Sequence, residues 1–130
     1  MRLNLHEDCP ETCDGTYKRP EVLSSFQRAV LDADGMFVAT PCHWFNVPGV
    51  LKNLIDHLTC IDSDLWERER PLCVAVHSPE GGEHGALAAI ILPLNMMGFA
   101  IPANGYAYFN GGDRWAYSEI EEMPGRMKGF

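Results

Sequence analysis

MFVATPCHWFNVPGVLKNLIDHL, residues 36–58, is the stretch of sequence that decides the fold. Residues 36–40 form an apolar run without strict alternation, which predicts a parallel strand covered on both faces. A loop follows at residues 41–46, and Pro48 then stands where a helix begins. Beyond Pro48, apolar side chains recur at the three-and-four spacing of one buried helix face. These side chains are Val50, Leu51, Leu54, Ile55 and Leu58. The stretch therefore predicts a strand, a loop and a helix in succession.

The same alternation of short apolar runs and helical patterns extends in both directions from this segment. The predicted helices span residues 20–33 and about 83–97, and further strands are expected at residues 2–6, 72–76 and 99–101. Pro20 suits the first turn of the earlier helix. Strands alternating with helices of this length indicate right-handed βαβ units and a parallel sheet.

Composition narrows the class of protein and of partner. The 130 residues suffice for one domain, and 46% of them are hydrophobic while 22% are charged, as in ordinary globular chains. A net charge of −8 argues against a nucleic-acid partner. No apolar run reaches the roughly 20 residues that span a bilayer, so no membrane partner is expected. Residues 1–5 lack a signal-peptide core, and the five cysteines show no disulfide framework, so we expect a cytoplasmic location.

Two loops stand where a ligand would bind. Ligands of parallel α/β sheets lie beyond the carboxyl ends of the strands, a position held here by residues 41–46 and 77–82. The first loop presents His43, Trp44 and Phe45, where burial alone would favour small polar residues. A planar ligand would explain these rings because they form a stacking wall, while backbone N–H groups before a helix favour an electron-rich edge. The alternative is that Trp44 and Phe45 form a hydrophobic clamp that holds the loop down.

Metal binding and nucleophilic catalysis are rival interpretations of the same region. Four histidines and two cysteines have side chains of the kind that bind metal ions: His43, His57, His77, His84, Cys42 and Cys60. No C-x₂-C or H-E-x-x-H spacing anchors them, so we expect no metal site. A cysteine–histidine nucleophile at Cys42 is disfavoured, because adjacent residues on an extended segment point to opposite sides.

The run Thr40–Asp56, TPCHWFNVPGVLKNLID, resembles the second flavin loop and following helix of the NADPH-dependent FMN reductases. In that family a T-P-x-Y-x-x-x-x-P-G-x-L-K-N-x-I-D pattern wraps the isoalloxazine and ribityl chain of FMN. A second stretch, from Gly81-Gly82-Glu83 to Pro102-x-x-Gly105-Tyr106, is similar to the family's third loop, helix and last strand. The resemblance covers about residues 20–112 and implies a flavodoxin-like α/β three-layer sandwich with a parallel sheet.

The resemblance also implies a cofactor and a set of binding residues. The implied cofactor is FMN, with NAD(P)H as co-substrate and a flavin, quinone or other small molecule as electron acceptor. The residues implied to line the ring edge and ribityl chain are Pro41, His43, Trp44, Phe45 and Asn46. Those implied to approach the pyrimidine end of the ring are Ser78, Gly81, Gly82 and Glu83. His43 stands where the family has tyrosine. Because the cofactor carries the chemistry, no side chain is expected to act as a catalytic acid or base.

The resemblance further implies a domain that is incomplete at its N-terminus. The family opens with a strand and a Ser/Arg-rich phosphate loop, whereas residues 2–19 resemble its second strand and the loop after it. The strand order 2-1-3-4-5 would then lack its central strand, and we expect weak FMN binding or none. An open slot in the sheet and an exposed aromatic loop predict a homo-oligomer. The alternatives are a natural protein that begins further upstream, and a degenerate domain that serves as a non-catalytic interaction or assembly module.

Overall fold

The computed structural model describes residues 12–110 together with Gly125. Within residues 12–110 the helices are α1 (Ser25–Asp32), α2 (Gly49–Leu58), α3 (Asp62–Leu65) and α4 (Glu83–Met96), with a 3₁₀ turn at Thr59–Ile61. The strands are β1 (Met36–Pro41), β2 (Arg70–Ser78), β3 (Phe99–Ala100) and β4 (Tyr106–Asn110). No helix in this part of the chain combines the length and the apolar character that crossing a bilayer requires.

The strands form a parallel sheet with β2 at its centre. β1 pairs along one edge of β2, with Phe37 opposite Cys73. β3 and β4 both pair with β2, with Phe99 opposite Arg70 and Tyr106 opposite Val74. The predicted strands at residues 36–40, 72–76 and 99–101 are therefore confirmed, as is their parallel pairing.

The strand that follows α4 is divided into two pieces, β3 and β4, and the sequence did not predict this division. The offset between partners is 99 − 70 = 29 residues at β3 and 106 − 74 = 32 at β4, so three extra residues lie between the two pieces. A turn closed by the Gly105 N–H on the Pro102 carbonyl, at 2.9 Å, takes up this excess. The Val74 N–H then donates to the Gly105 carbonyl at 2.8 Å and restores pairing with β2.

β1 is less buried than its apolar sequence predicts. Every residue of β2 except His77 is buried, whereas in β1 Ala39 and Pro41 are exposed and only Thr40 is buried. The expectation that β1 is covered on both faces was therefore wrong. A single described strand, β2, flanks β1, while β2 has neighbours on both of its edges. The apolar runs of β1 and β2 look alike in sequence, and their different burial follows from their different positions in the sheet.

The helices of residues 12–110 pack against one face of the sheet. Their apolar side chains join Leu72, Val74 and Val76 of β2 in one buried cluster. The alternate residues Cys73 and Ala75 face the other way and join a second buried cluster. Its other members are Phe37, Ala107 and Phe109. Both faces of β2 are therefore buried, as the central strand of an α/β domain requires.

Helix α1 begins later than Pro20 suggests. Ser24 caps the helix: its Oγ accepts from the Gln27 N–H at 3.1 Å, and the Ser24 N–H donates to Gln27 Oε1 at 3.0 Å. This reciprocal capping box satisfies two backbone donors and sets the first turn. The prediction of a helix start at Pro20 was therefore wrong. The predicted strand at residues 2–6 lies outside the described residues.

A buried arginine anchors the amino end of β2. Arg70 is 4% exposed, and its Nη1 and Nη2 donate to the carbonyls of Leu65 and Leu31, each at 3.1 Å. These carbonyls lie at the ends of α3 and α1, where helices leave acceptors unpaired. Burial, and then the nearby charge of Arg68, lower the pKa of Arg70. Two helices are thus tied to the first residue of the central strand.

Candidate functional site

The loop after β1 is a two-residue hairpin built from aromatic residues. The His43 N–H donates to the Asn46 carbonyl at 2.7 Å, and the Asn46 N–H donates back to the His43 carbonyl at 3.0 Å. Between them Trp44 and Phe45 have φ angles of 47° and 63°. Tight hairpins with two positive φ angles strongly favour Asn-Gly, because other side chains are strained there by roughly 1–2 kcal/mol per residue. Strain of this kind concentrates at functional sites.

Two glycines of the following loop and helix provide a seat for this hairpin. A Cβ atom on Gly82 would lie 2.5 Å from the Cα of Phe45, and one on Gly85 would lie 2.6 Å from the Phe45 carbonyl oxygen. Gly82 also has a φ of 88°, which disfavours any side chain. The backbone of the hairpin therefore rests on the first turn of α4, in space that only glycine leaves free.

The carbonyl of Gly81 links the two loops. It accepts a hydrogen bond from the Ser78 hydroxyl and another from the Cys42 thiol, with Sγ and O separated by 3.7 Å. The Cys42 N–H donates to the His77 carbonyl at 2.7 Å and extends the pairing of β1 with β2. The loops at residues 41–46 and 77–83 therefore form one surface at the carboxyl ends of neighbouring strands.

Glu83 carries a buried acceptor without a partner in the described part of the chain, directly after the loop at residues 77–82. It is the first residue of α4 and only 8% exposed. Its Oε1 lies 3.7 Å from Nδ1 of His84, whereas Oε2 is buried without a hydrogen-bond partner among the described residues. A carboxylate is favourable in the first turn of a helix because of the helix dipole. A buried acceptor without a donor is nevertheless rare, and a ligand N–H would satisfy it.

The exposure of Trp44 and Phe45 tests the alternative that they form a hydrophobic clamp on the loop. Trp44 is 94% exposed, so its side chain does not hold the loop against the protein. Phe45 is also largely exposed, but its Cα and part of its side chain lie against Gly82, and its carbonyl lies against Gly85. The hydrophobic clamp is therefore wrong for Trp44. Pro41, His43 and Asn46 are exposed beside it, whereas Ser78 is buried.

Cationic residues lie elsewhere in the described chain. The sequences PCHWFN of residues 41–46 and HSPEGGE of residues 77–83 contain neither lysine nor arginine. Arg19, Arg68 and Arg70 instead line a cavity of about 610 Å³ at the amino end of β2, together with three carboxylates. These are Asp32, Asp64 and Glu67. The described residues include no group of three metal-ligating side chains suited to an ion.

The parallel sheet, with its helices and two loops at the carboxyl ends of the strands, defines a flavodoxin-like α/β domain. A sequence model of the NADPH-dependent FMN reductases matches residues 2–113. The chain belongs to this family. The family's own description names FMN and NADPH, which supports FMN as cofactor and NAD(P)H as co-substrate.

Individual known proteins resemble the chain over part of their length, in sequence or in fold. A 2-hydroxy-1,4-benzoquinone reductase from Burkholderia sp. is 46% identical over 37 residues, which are 28% of this chain and 20% of the reductase. RosB, solved with a bound 8-demethyl-8-formylriboflavin-5'-phosphate intermediate, matches with a TM-score of 0.67 at 14% identity, over 84% of this chain and 52% of RosB. An apo NADH:FMN oxidoreductase (EMOB) matches with a TM-score of 0.57 at 18% identity, over 81% of this chain and 59% of that enzyme. The chain thus spans between a fifth and about three fifths of these proteins.

Proposed function

We propose that this chain is the flavin-binding domain of an NAD(P)H-dependent oxidoreductase that passes electrons through FMN to a flavin, a quinone or another small acceptor. The observation that carries the proposal is Glu83 Oε2, a buried oxygen without a hydrogen-bond partner within residues 12–110. Glu83 follows one of the two loops at the carboxyl ends of the strands, and the other loop is a strained aromatic hairpin. The chain that contains both belongs to a flavin-dependent family. Strain and an unsatisfied buried acceptor both destabilise the free protein, and ligand binding at this surface accounts for both.

The residues of the two loops fit the ring end of a flavin. When bound, FMN supplies a hydride acceptor and an electron carrier. The exposed ring of Trp44 offers a stacking surface, and Glu83 Oε2 would accept a hydrogen bond from an N–H of the pyrimidine edge. Backbone N–H groups of the loops would favour negative charge on the ring. The other residues proposed to border it are Pro41, His43, Phe45, Asn46, Ser78, Gly81 and Gly82.

The two loops offer fewer binding groups to the phosphate of FMN than to its ring. No lysine or arginine occurs in residues 41–46 or 77–83. A phosphate loop makes several charge-assisted hydrogen bonds, each worth about 1.5–3 kcal/mol. Losing three or four of them would weaken binding by about 5 kcal/mol, or three to four decades in affinity. We therefore expect the two loops by themselves to contribute similar, low affinity for FMN and for riboflavin.

Titration of the purified chain with FMN and with riboflavin tests the proposal, with flavin fluorescence as the readout. Glu83→Gln should weaken the binding of both flavins, because the substitution replaces an acceptor oxygen with an amide donor. Glu80→Gln is the matched control: it makes the same change at an exposed position of the same loop and should leave both affinities unchanged. Equal affinities for the parent chain and the Glu83→Gln variant would contradict the site. Tight, phosphate-dependent binding would show that another segment supplies the phosphate contacts.

The electron acceptor is proposed to be a quinone in the first instance. The similarity to a 2-hydroxy-1,4-benzoquinone reductase, although confined to 37 residues, supports this choice. NAD(P)H oxidation measured with added FMN and a panel of quinones would test it. Turnover with free flavin and with none of the quinones would favour a flavin reductase instead.

A second candidate function, a non-catalytic interaction module, has one observation in its favour. The backbone and part of the side chain of Phe45 already fill the space above Gly82, and the Phe45 carbonyl fills the space above Gly85. If that seat exists to hold the hairpin and not to admit a ligand, neither flavin will bind saturably. That result in the titration would favour the module over the enzyme.

A further inference from the structure

The cavity at the amino end of β2 is lined almost entirely by charged side chains. Its volume of about 610 Å³ is typical of a small-molecule site, although such sites are mostly apolar. Leu31 is the one apolar residue among the described residues that line it, and the other six are three arginines and three carboxylates. The cavity lies at the opposite end of β2 from the loops at residues 41–46 and 77–83. It is therefore suited to a charged ligand that binds apart from the proposed flavin site.

Two of the three arginines already have a carboxylate partner. Arg19 Nη2 lies 2.8 Å from Asp64 Oδ2, and Arg68 Nη1 lies 3.0 Å from Asp34 Oδ1. Each of these pairs is neutral as a unit. The charges that remain in the lining are those of Arg70, Asp32 and Glu67.

Arg70 is a buried cation without an anion in contact. It is 4% exposed, its Nη atoms donate to backbone carbonyls, and its Nε is buried without a hydrogen-bond partner. No carboxylate among residues 12–110 forms an ion pair with it. The pKa of this guanidinium is lowered by burial and then by Arg68, and the nearby carboxylates of Asp34 and Glu67 raise it by less. Since buried charges are normally paired, an anion in the cavity would supply what the described chain does not.

Asp32 and Glu67 are the carboxylates of the lining that lack a partner. Both are exposed, and neither forms a hydrogen bond or an ion pair with a residue that the structure describes. Asp32 is also the last residue of α1, where the helix dipole disfavours a negative charge, and the last turn of α1 contains no basic residue. A bound cation would relieve this unfavourable position. The lining thus leaves one positive and two negative charges unmatched.

We propose that this cavity binds a small basic amino acid, a molecule with two ammonium groups and one carboxylate. The carboxylate of the ligand lies on the side of Arg70, and its ammonium groups lie toward Asp32 and Glu67. The two positive charges and one negative charge of the ligand are then the opposite of the unmatched charges of the lining. A simple anion would be repelled by the carboxylates of the lining, and a diamine would leave Arg70 without a counter-ion.

Isothermal titration calorimetry at low ionic strength tests this charge requirement on the purified chain. The probes are L-lysine, cadaverine, ε-aminocaproate and inorganic phosphate. Cadaverine is lysine without its carboxylate, and ε-aminocaproate is lysine without its α-amino group. L-lysine should bind about fivefold more tightly than either, which is the contribution of one well-formed exposed ion pair. Phosphate should not bind measurably. Binding of any other probe as tightly as L-lysine, or saturable binding of none of them, would overturn the proposal.

Two charge-neutralising variants test the location of the site. Glu67→Gln and Asp32→Asn change exposed side chains that lack a partner in the described chain, so both variants should fold, which circular dichroism checks. Each should weaken the binding of L-lysine by about fivefold. Glu69→Gln is the matched control, because it removes the same charge at an exposed position that does not line the cavity, and it should leave the affinity unchanged.

The control also separates a site from general attraction of a dication to a chain whose net charge is −8. An equal loss of affinity in Glu69→Gln and Glu67→Gln would show attraction of that general kind and would contradict the site. No flavin takes part in these titrations, so their outcome is independent of the proposed flavin site.

Discussion

At the amino end of β2 two of the three guanidinium nitrogens of the buried Arg70 are paired, whereas beyond its carboxyl end an oxygen of the buried Glu83 lacks a partner among the described residues and an aromatic hairpin is exposed. Arg70 ties the carbonyls of Leu31 and Leu65 to the start of the central strand. Beyond Ser78, by contrast, the chain supports an exposed Trp44 with positive φ and a buried Glu83 oxygen without a donor. One strand therefore separates a region held by hydrogen bonds of a buried side chain from a region that contains unfavourable backbone conformations. The difference predicts opposite outcomes for mutations at the two ends.

The largest expected effect is at the amino end. Arg70→Met removes two hydrogen bonds from a charged donor and leaves the Leu31 and Leu65 carbonyls without partners, so we expect a loss of about 2–4 kcal/mol in the free energy of unfolding. Urea denaturation measures it. Flavin affinity of the folded fraction should be unchanged, because Arg70 lies at the opposite end of β2. A fall in affinity without a fall in stability would reverse the assignment of the two ends.

The next effect is at the seat of the hairpin. Gly82→Ala places a methyl group 2.5 Å from the Cα of Phe45, so the hairpin must move. We expect a loss of about 1–3 kcal/mol in stability together with weaker riboflavin binding. Gly81→Ala is the matched control, since its φ of 98° is equally unfavourable but no atom lies within 4 Å of the added Cβ. Equal losses in the two variants would mean that backbone conformation alone matters here.

A smaller change of opposite sign is expected in the hairpin itself. Replacing Trp44 and Phe45 together by Asn and Gly installs the residues that tight hairpins with positive φ angles prefer. We expect a gain of about 1 kcal/mol in stability, because the released strain exceeds the added freedom of glycine in the unfolded chain. Riboflavin binding should be lost with the aromatic surface. If the double variant is less stable than the parent, the aromatic residues contribute packing that their exposure does not suggest.

The smallest expected effect is on how the free energy of unfolding depends on pH. It involves Cys60, which lies in the 3₁₀ turn after α2. Burial, and then nearby Cys13 and Asp14, raise the pKa of the Cys60 thiol. In the unfolded chain this thiol ionises near pH 8.5, so as pH rises past that value the unfolded state loses its proton first and stability falls. Cys60→Ser should make the decline between about pH 8 and pH 10 shallower. Denaturation curves at a series of pH values would detect it, and parallel curves for parent and variant would contradict it.

The regular elements of this fold could be predicted from sequence because they depend on patterns of burial. The apolar runs of β1 and β2 and the periodic face of α2 indicate their structures directly. The start of α1 could also have been found, since the Ser24-x-x-Gln27 capping box is present in the sequence. The partial exposure of β1 could not, because it depends on which strands lie beside it and not on its composition.

The candidate site was predictable in position but not in geometry. Loops at the carboxyl ends of parallel strands follow from the fold class, and the resemblance to a flavin loop adds the residues. No local rule predicts positive φ at Trp44 and Phe45, because hairpins of this kind normally contain Asn-Gly. The role of Gly82 as a seat likewise depends on a contact with Phe45, 37 positions earlier by the numbering (82 − 45 = 37). The anchoring role of Arg70 was missed because its partners are backbone carbonyls, which leave no trace in sequence.

The interruption between β3 and β4 has a consequence for engineering this protein. Phe99 opposite Arg70 and Tyr106 opposite Val74 set the register of the two pieces separately, so the residues between them do not transmit register along the sheet. Ala103 and Asn104, at the tip of the connecting turn, are exposed. Insertions at exposed tips of this kind are tolerated best. A peptide tag or a fluorescent reporter inserted between Ala103 and Asn104 should therefore leave the sheet paired and the loops at residues 41–46 and 77–83 undisturbed.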